Sequence, residues 1–427
     1  MASDPSPIDR GTANPDVLDA PAPARERLAR LESYLQGDPD NSLLRIDAFE
    51  TALRCGQWSN AQLHLRHGQT LPTEALSWAL KEGDFWLAQG RYDQARAVLS
   101  PLQALPQAPD GFAGVVLHNL AYIDFHQGQY SACVDQLTPY LESMVVARQP
   151  LQTDHPVGGP MAPADRALQC LWLRALHRVS DLERACHWTQ QAEQQQYLDE
   201  QAAGIASLIA IDQSDFKRAR HWVQRCLQTF SGVPMSESAP IEAYVTQASL
   251  ALAEQHSQSA IEWADRALQL NPQDGRAWSA RAFALLLAGQ MELALRDFAT
   301  ALRGMPEHIG TWHGQAWTQL LLRDLDAAQA SFFTSLALDR NFAESHGGLA
   351  VVLAFKKQTY EAQQHIARAL GLDKRNLSGR YAQAILDGEV ADGVALRRLA
   401  QRLLAGRSAP LGGDMANLLA KSAGPQP

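Results

Sequence analysis

Cysteine is scarce in this chain of 427 residues, and long apolar runs are missing. The five cysteines, Cys55, Cys133, Cys170, Cys186 and Cys226, are odd in number and form no Cys-x-x-Cys pair, so neither a disulfide framework nor a zinc knuckle is expected. A reducing cytoplasm fits them best. The longest apolar runs, Ala282 to Ala288 and Leu349 to Phe355, have seven residues each, whereas a membrane-spanning helix needs about 18. Basic charge is in deficit: 37 Lys and Arg against 46 Asp and Glu leave a net charge of −9, which argues against nucleic-acid binding through a general basic face. Residues 1 to 24 alternate Pro, Asp, Ser and Ala without an apolar export signal, and their composition predicts a disordered tail.

Against these absences stands a repeat. One window reads Trp278-x2-Arg281-Ala282-x2-Leu285, then Gly289, Ala294-x3-Phe298, Ala301 and Pro306. Thirty-four residues on, Trp312, Ala316, Ala328, Phe332 and Ser335 keep the register. One period upstream stand Tyr244, Ala248, Ala260, Ala264, Ala267 and Pro272, and one period downstream His346, Leu349, Ala350, Ala362, Ile366 and Ala369. Weaker windows extend towards the amino end. A small residue recurs in the second half of every window: Ala61, Ala95, Cys133, Ala185, Ala219, Ala260, Ala294, Ala328 and Ala362. A helical hairpin stacked on its neighbour needs such a residue to let two helix axes approach to roughly 8–10 Å. Gly56, Gly90, Gly128 and Gly289 fall between the two helices, where a left-handed residue is expected. Pro72, Pro272 and Pro306 end the second helix, having no backbone N–H to donate.

This pattern resembles the tetratricopeptide repeat (TPR). The resemblance implies an all-α solenoid of stacked helical hairpins forming a right-handed superhelix, closed by a C-terminal helical cap. It covers 306 residues in nine units: 42–75, 76–109 and 114–147 within an N-terminal region of 25–147, then 166–199, 200–233, 241–274, 275–308, 309–342 and 343–376. The intervening 148–165 is rich in Pro and Gly and is read as a linker between a three-unit and a six-unit lobe. Residues 377–407 read as the cap, with Leu396, Leu399, Leu403 and Leu404 among arginines, and 408–427 as a flexible tail. From Lys356 onward the net charge is +5, against −14 before it.

Only 121 residues lie outside the repeats, and no piece of them exceeds 51. A conventional catalytic domain needs about 100, so no enzyme activity, catalytic residue, cofactor or metal is expected. His346-Gly347-Gly348 is similar to an esterase oxyanion turn, but it lies in a first helix and no Gly-x-Ser-x-Gly elbow accompanies it. His64 and His67 lack a third metal ligand at suitable spacing, and Cys186-His187 has the same weakness. An unrecognised site in the linker would have to use Asp154 and His155.

TPR proteins, by the resemblance, bind ligands in the groove formed by the first helices. In the last three units the places expected to face it are Ser279, Phe283 and Leu287, then His313, Trp317 and Leu321, then Gly347, Val351 and Phe355. Four-residue spacing puts each triplet on one stripe, with Phe283, Trp317 and Val351 as an apolar floor. Burying Phe283, Trp317 and Phe355 against a ligand is worth roughly 5–9 kcal/mol before association costs. The partner expected there is another protein, presenting a peptide or an amphipathic helix. An earlier, polar stretch offers His118, Asn119, Tyr122 and Arg174 as a second surface. The two-carboxylate clamp of chaperone-binding TPR domains is absent, since only Asn119 and Arg276 fall at comparable places. The function expected is a bacterial, cytoplasmic adaptor or scaffold. The alternatives are a secretion or assembly chaperone that shields apolar client segments, or an accessory subunit of an enzyme complex.

Overall fold

The computed structural model describes residues 22–71, 74–105, 111–147, 163–229, 239–390, 398–399 and 402–403. Among them regular structure is helical throughout, without a strand. After α1 (Ala22–Gly37) come nine hairpins. They are α2 (Ser42–Arg54) with α3 (Trp58–Gly68), α4 (Ala75–Ala88) with α5 (Tyr92–Leu99), α6 (Phe112–His126) with α7 (Tyr130–Ala147), and α8 (Pro163–Arg178) with α9 (Leu182–Gln194). Next are α10 (Glu200–Asp212) with α11 (Phe216–Thr229), α12 (Ile241–Ala253) with α13 (Ser257–Leu270), and α14 (Gly275–Leu287) with α15 (Met291–Gly304). The series ends with α16 (Ile309–Leu321) and α17 (Leu325–Leu338), α18 (Ala343–Phe355) and α19 (Thr359–Leu372), and the single α20 (Leu377–Leu386). No described helix is long and apolar enough to cross a membrane.

Contacts divide the chain into two compact units, Met1–Tyr197 and Leu198–Pro427. In the first, Leu28, Leu31 and Leu35 of α1 close the core of the first hairpins around Phe49, Trp78 and Phe85. Helix α8 packs on α6 and α7, where the Tyr140 hydroxyl donates to Asp165 at 2.7 Å and Trp172 donates to Thr138 at 3.1 Å. Most of the Pro- and Gly-rich linker, with Asp154 and His155, lies outside the described residues.

The periodic small residues explain the stacking in both units. All nine, from Ala61 to Ala362, are completely buried, so each stands where a larger side chain would push two helices apart. Aromatic residues of second helices fill the matching gaps. A Cβ added at Gly348 would stand 2.3 Å from the ring of Phe332, and one at Gly314 would stand 2.5 Å from that of Phe298. The turns inside the hairpins share one conformation: Gly56, Gly90, Gly128 and Gly289 have φ between +65° and +77°. Ser180, Ser214, Gln255, Arg323 and Lys357 adopt the same left-handed region, with φ between +59° and +65°. The units that lack the mid-unit glycine therefore keep its backbone geometry at a cost of about 1–2 kcal/mol per residue. Side chains of Asn41, Asp181, Asp274, Asp324 and Asn376 accept backbone N–H groups at helix starts.

In the second unit α20 packs on α18 and α19, with Ala382 in their core and Tyr381, Ile385 and Leu386 against it. Beyond α20 the described residues of the expected cap are 387–390, 398–399 and 402–403; Leu399 is buried and Arg402 pairs with Glu389.

Candidate functional site

A strap recurs at the base of the last first-helices. The side chain four residues into each repeat donates to a backbone carbonyl six residues earlier. The pairs are Trp278 Nε1 to Pro272 at 2.7 Å, Trp312 Nε1 to Pro306 at 2.8 Å, His346 Nε2 to Arg340 at 3.0 Å and Arg380 to Lys374 at 2.8 Å. His346 is therefore a structural donor. Its other nitrogen, Nδ1, lies 2.9 Å from Nδ1 of His365, and since a carbonyl can only accept, that bond is donated by His365.

A second set of polar bonds ties consecutive first helices together. Ser207 bonds Thr246 at 2.9 Å, Ser279 bonds Thr311 at 2.9 Å, His313 Nε2 bonds Ser345 at 2.8 Å, and Glu344 accepts from Asn376 at 2.9 Å and from Ser378. The first member of each expected stripe thus faces the next hairpin instead of a ligand. His313 is buried between Phe332 and Phe342, and burial brings its pKa down to about 4. It is corrected from a groove residue to a neutral internal bond.

Val351 needs the same correction, being completely buried. Glycine is the reason. A Cβ at Gly347 would come within 2.4 Å of Asn376 Oδ1 and 2.9 Å of Gly379 N, so Gly347 and Gly379 let α20 approach α18 closely, and Val351 joins the core they share with Ala382. Phe283 and Trp317 are half-buried. Each sets an edge against a ring of a second helix, Phe298 at 4.9 Å and Phe332 at 5.8 Å. Phe355 meets Tyr381 of α20 at 6.5 Å, and the Arg323 guanidinium lies 5.6 Å over its ring. Much of the apolar burial expected from these three rings is already realised within the fold. What stays open is the last turn of α14 and α16, where Leu287 is 45% and Leu321 53% exposed.

In the first unit the corresponding surface is a hydrogen-bonded polar seam. Lys81 of α4 reaches Glu50 of α2 at 2.9 Å and Asp84 at 3.2 Å; Asp84 accepts from buried Asn119 of α6 at 3.1 Å, and His118 Nδ1 lies 3.1 Å from Asn119 Oδ1. Burial works against the Lys81 cation, but Asp84 and Glu50 together hold its pKa above the ordinary lysine value. Burial holds His118 below the histidine range and raises Tyr122. Tyr122 lies against His126 at 4.1 Å, which stacks on Tyr92 at 5.9 Å. Asn119 is thus an internal tie, while His118 and Tyr122 share one half-exposed face of α6; Arg174 stands on α8.

The other singled-out residues separate. His64 Nε2 stands 3.5 Å from Glu32 and His67 Nε2 3.0 Å from Asp40, each with its own carboxylate. Among the described residues no group of three His, Cys, Asp or Glu could hold a metal. All five cysteines are buried, and burial pushes the Cys133 and Cys226 thiols up to about 12, which makes them poor nucleophiles.

No known sequence-family profile matches the chain. It is 23% identical over 344 residues to cellulose synthase operon protein C of Komagataeibacter sucrofermentans, which covers 75% of this chain and 25% of that protein. The chain thus spans about a quarter of the length of this curated relative. Among solved structures, a chain of the APC/C hetero-tetramer Cut9–Hcn1 aligns with TM-score 0.52 and 13% identity over 81% of this chain and 62% of that one. A thermophilic TPR protein of Thermus thermophilus aligns with TM-score 0.37 and 20% identity over 44% of this chain and 99% of that one, too loosely to carry an argument. With the 34-residue period, the paired helices, the buried small residues and the left-handed turns, the fold is that of a tetratricopeptide-repeat solenoid.

Proposed function

We propose that this chain is a non-catalytic scaffold that holds a segment of another protein on the first helices of its second unit. The observation that carries this reading is the pair Leu287 and Leu321, one repeat apart and about half exposed, flanked by the half-buried rings of Phe283, Trp317 and Phe355. Leucines left open on a surface whose other members are all packed mark a contact region. A peptide or amphipathic helix fits, because its apolar side chains supply the burial that Leu287 and Leu321 lack. Affinity capture with mass spectrometry tests the reading. Replacing Leu287 and Leu321 with Glu should remove the principal partners while the helical circular-dichroism signal stays intact. Unchanged partners would sink it.

A second reading, an accessory component of a cellulose-synthase system, has in its favour the likeness to the operon protein over three quarters of the chain. Co-purification of a synthase subunit, lost with the same double replacement, would join the two readings; a synthase that never co-purifies would leave only the first.

A further inference from the structure

The scaffold reading leaves open what kind of segment the surface takes, and one side chain beside the leucines narrows it. Arg323 occupies the turn between α16 and α17 and is exposed, with its guanidinium over the face of Phe355. Several cations of this unit have carboxylate partners, among them Arg276 with Asp212, Arg281 with Asp265 and Asp297, and Lys356 with Asp326, whereas Arg266, like Arg323, rests over a ring. The acidic groups nearest Arg323 in sequence are already engaged, since Asp324 caps α17 by accepting from Ala327 N and Asp326 holds Lys356. No ion pair to Arg323 exists among the described residues. A guanidinium resting on a ring keeps its N–H edge available, and that edge matches a carboxylate in two parallel hydrogen bonds.

Resting on the scaffold reading, we propose that the surface selects an acidic protein segment, which sets aliphatic side chains on Leu287 and Leu321 and a carboxylate on Arg323. Helices α14, α16 and α18 touch in sequence, and packed helices stand roughly 8–10 Å apart. That distance is spanned by about three residues of an extended chain, so two aliphatic residues three apart followed by Asp or Glu reach all three contacts. Two leucines against one guanidinium favour a protein segment over a nucleic acid, which would ask for a run of cations.

The test uses the full chain and a displayed library of random twelve-residue peptides. Wild type, Arg323→Gly and Leu321→Glu are panned in parallel and the selected pools sequenced. Glycine suits the left-handed turn at φ +65°, so Arg323→Gly removes the charge without endangering the fold. The expected result is a wild-type pool enriched several-fold in aliphatic residues and in Asp and Glu. Arg323→Gly should return the acidic content to that of the unselected library and keep the aliphatic enrichment, whereas Leu321→Glu should lose the aliphatic enrichment. Acidic enrichment that persists in Arg323→Gly, or a wild-type pool that is aliphatic without being acidic, overturns the charge selection and leaves the scaffold reading standing. A wild-type pool with no enrichment at all overturns both.

Discussion

The first helices of the two units solve the same packing problem with opposite chemistry. Along α2, α4 and α6 polar group answers polar group: Glu50, Lys81, Asp84 and Asn119 bond in series. Along α14, α16 and α18 the polar groups retreat into the joints between hairpins, as Ser279–Thr311 and His313–Ser345, and the outer end of the surface is leucine and aromatic ring. The difference shows that a 34-residue scaffold does not dictate its surface. A seam closed by its own hydrogen bonds contributes stability, and a seam left half-covered is the one we propose for binding.

The strongest way to break this contrast is to put one charge at a closed and at an open place of the apolar seam. Val351→Glu buries a carboxylate in the apolar core that α18 shares with Ala382 and should cost at least about 4 kcal/mol, unfolding the end of the second unit in urea titrations followed by circular dichroism. Acid tests the joints next. His313 stays neutral in the folded protein with its pKa at about 4, whereas an unfolded histidine titrates near 6.5. The unfolded chain therefore takes up the proton first. The contribution of this residue is complete above pH 6.5 and is lost as pH falls towards 4, by about 3 kcal/mol. His313→Gln should remove that component from the pH dependence of the unfolding midpoint.

In the polar seam, Asp84→Ala deprives Lys81 and buried Asn119 of their shared acceptor and should cost about 2 kcal/mol, with Asp84→Asn costing less. If it costs nothing, the seam is not what holds α4 to α6. The turns offer a gain of about 0.5–1 kcal/mol: Arg323→Gly relieves a left-handed residue, and thermal unfolding should show a higher midpoint. Smallest of all, Leu321→Glu should change stability by less than about 0.5 kcal/mol while removing partner binding, which separates the open end of the seam from its closed one.

How much of this is legible in the sequence depends on whether a residue's type or its surroundings decides its role. Small residues such as Ala61, Cys133 and Ala362 are readable because nothing larger fits where two helices meet. The four straps are only half readable. Trp278 and Trp312 look alike, but His346 and Arg380 share with them a reachable N–H donor and nothing that a search for aromatic residues would find. For the expected binding stripe, spacing sets the positions along each helix and leaves open what covers them. Ser279, Phe283 and Leu287 lie on one side of α14, yet only the next hairpin decides which of them it buries. At Val351 the decision comes from Gly347 and Gly379, two residues of no chemical interest that admit α20.

The straps have a mechanical side. Each joins the first turn of a helix to the connection preceding it, and four occur in succession at nearly equal length, from 2.7 to 3.0 Å. A pull along this part of the chain meets four similar clips in series, and their similar lengths single out none of them as the weak joint. Each of these hairpins is thereby tied at its base to the connection that leads into it, and the register from one repeat to the next is set four times over by the same kind of bond.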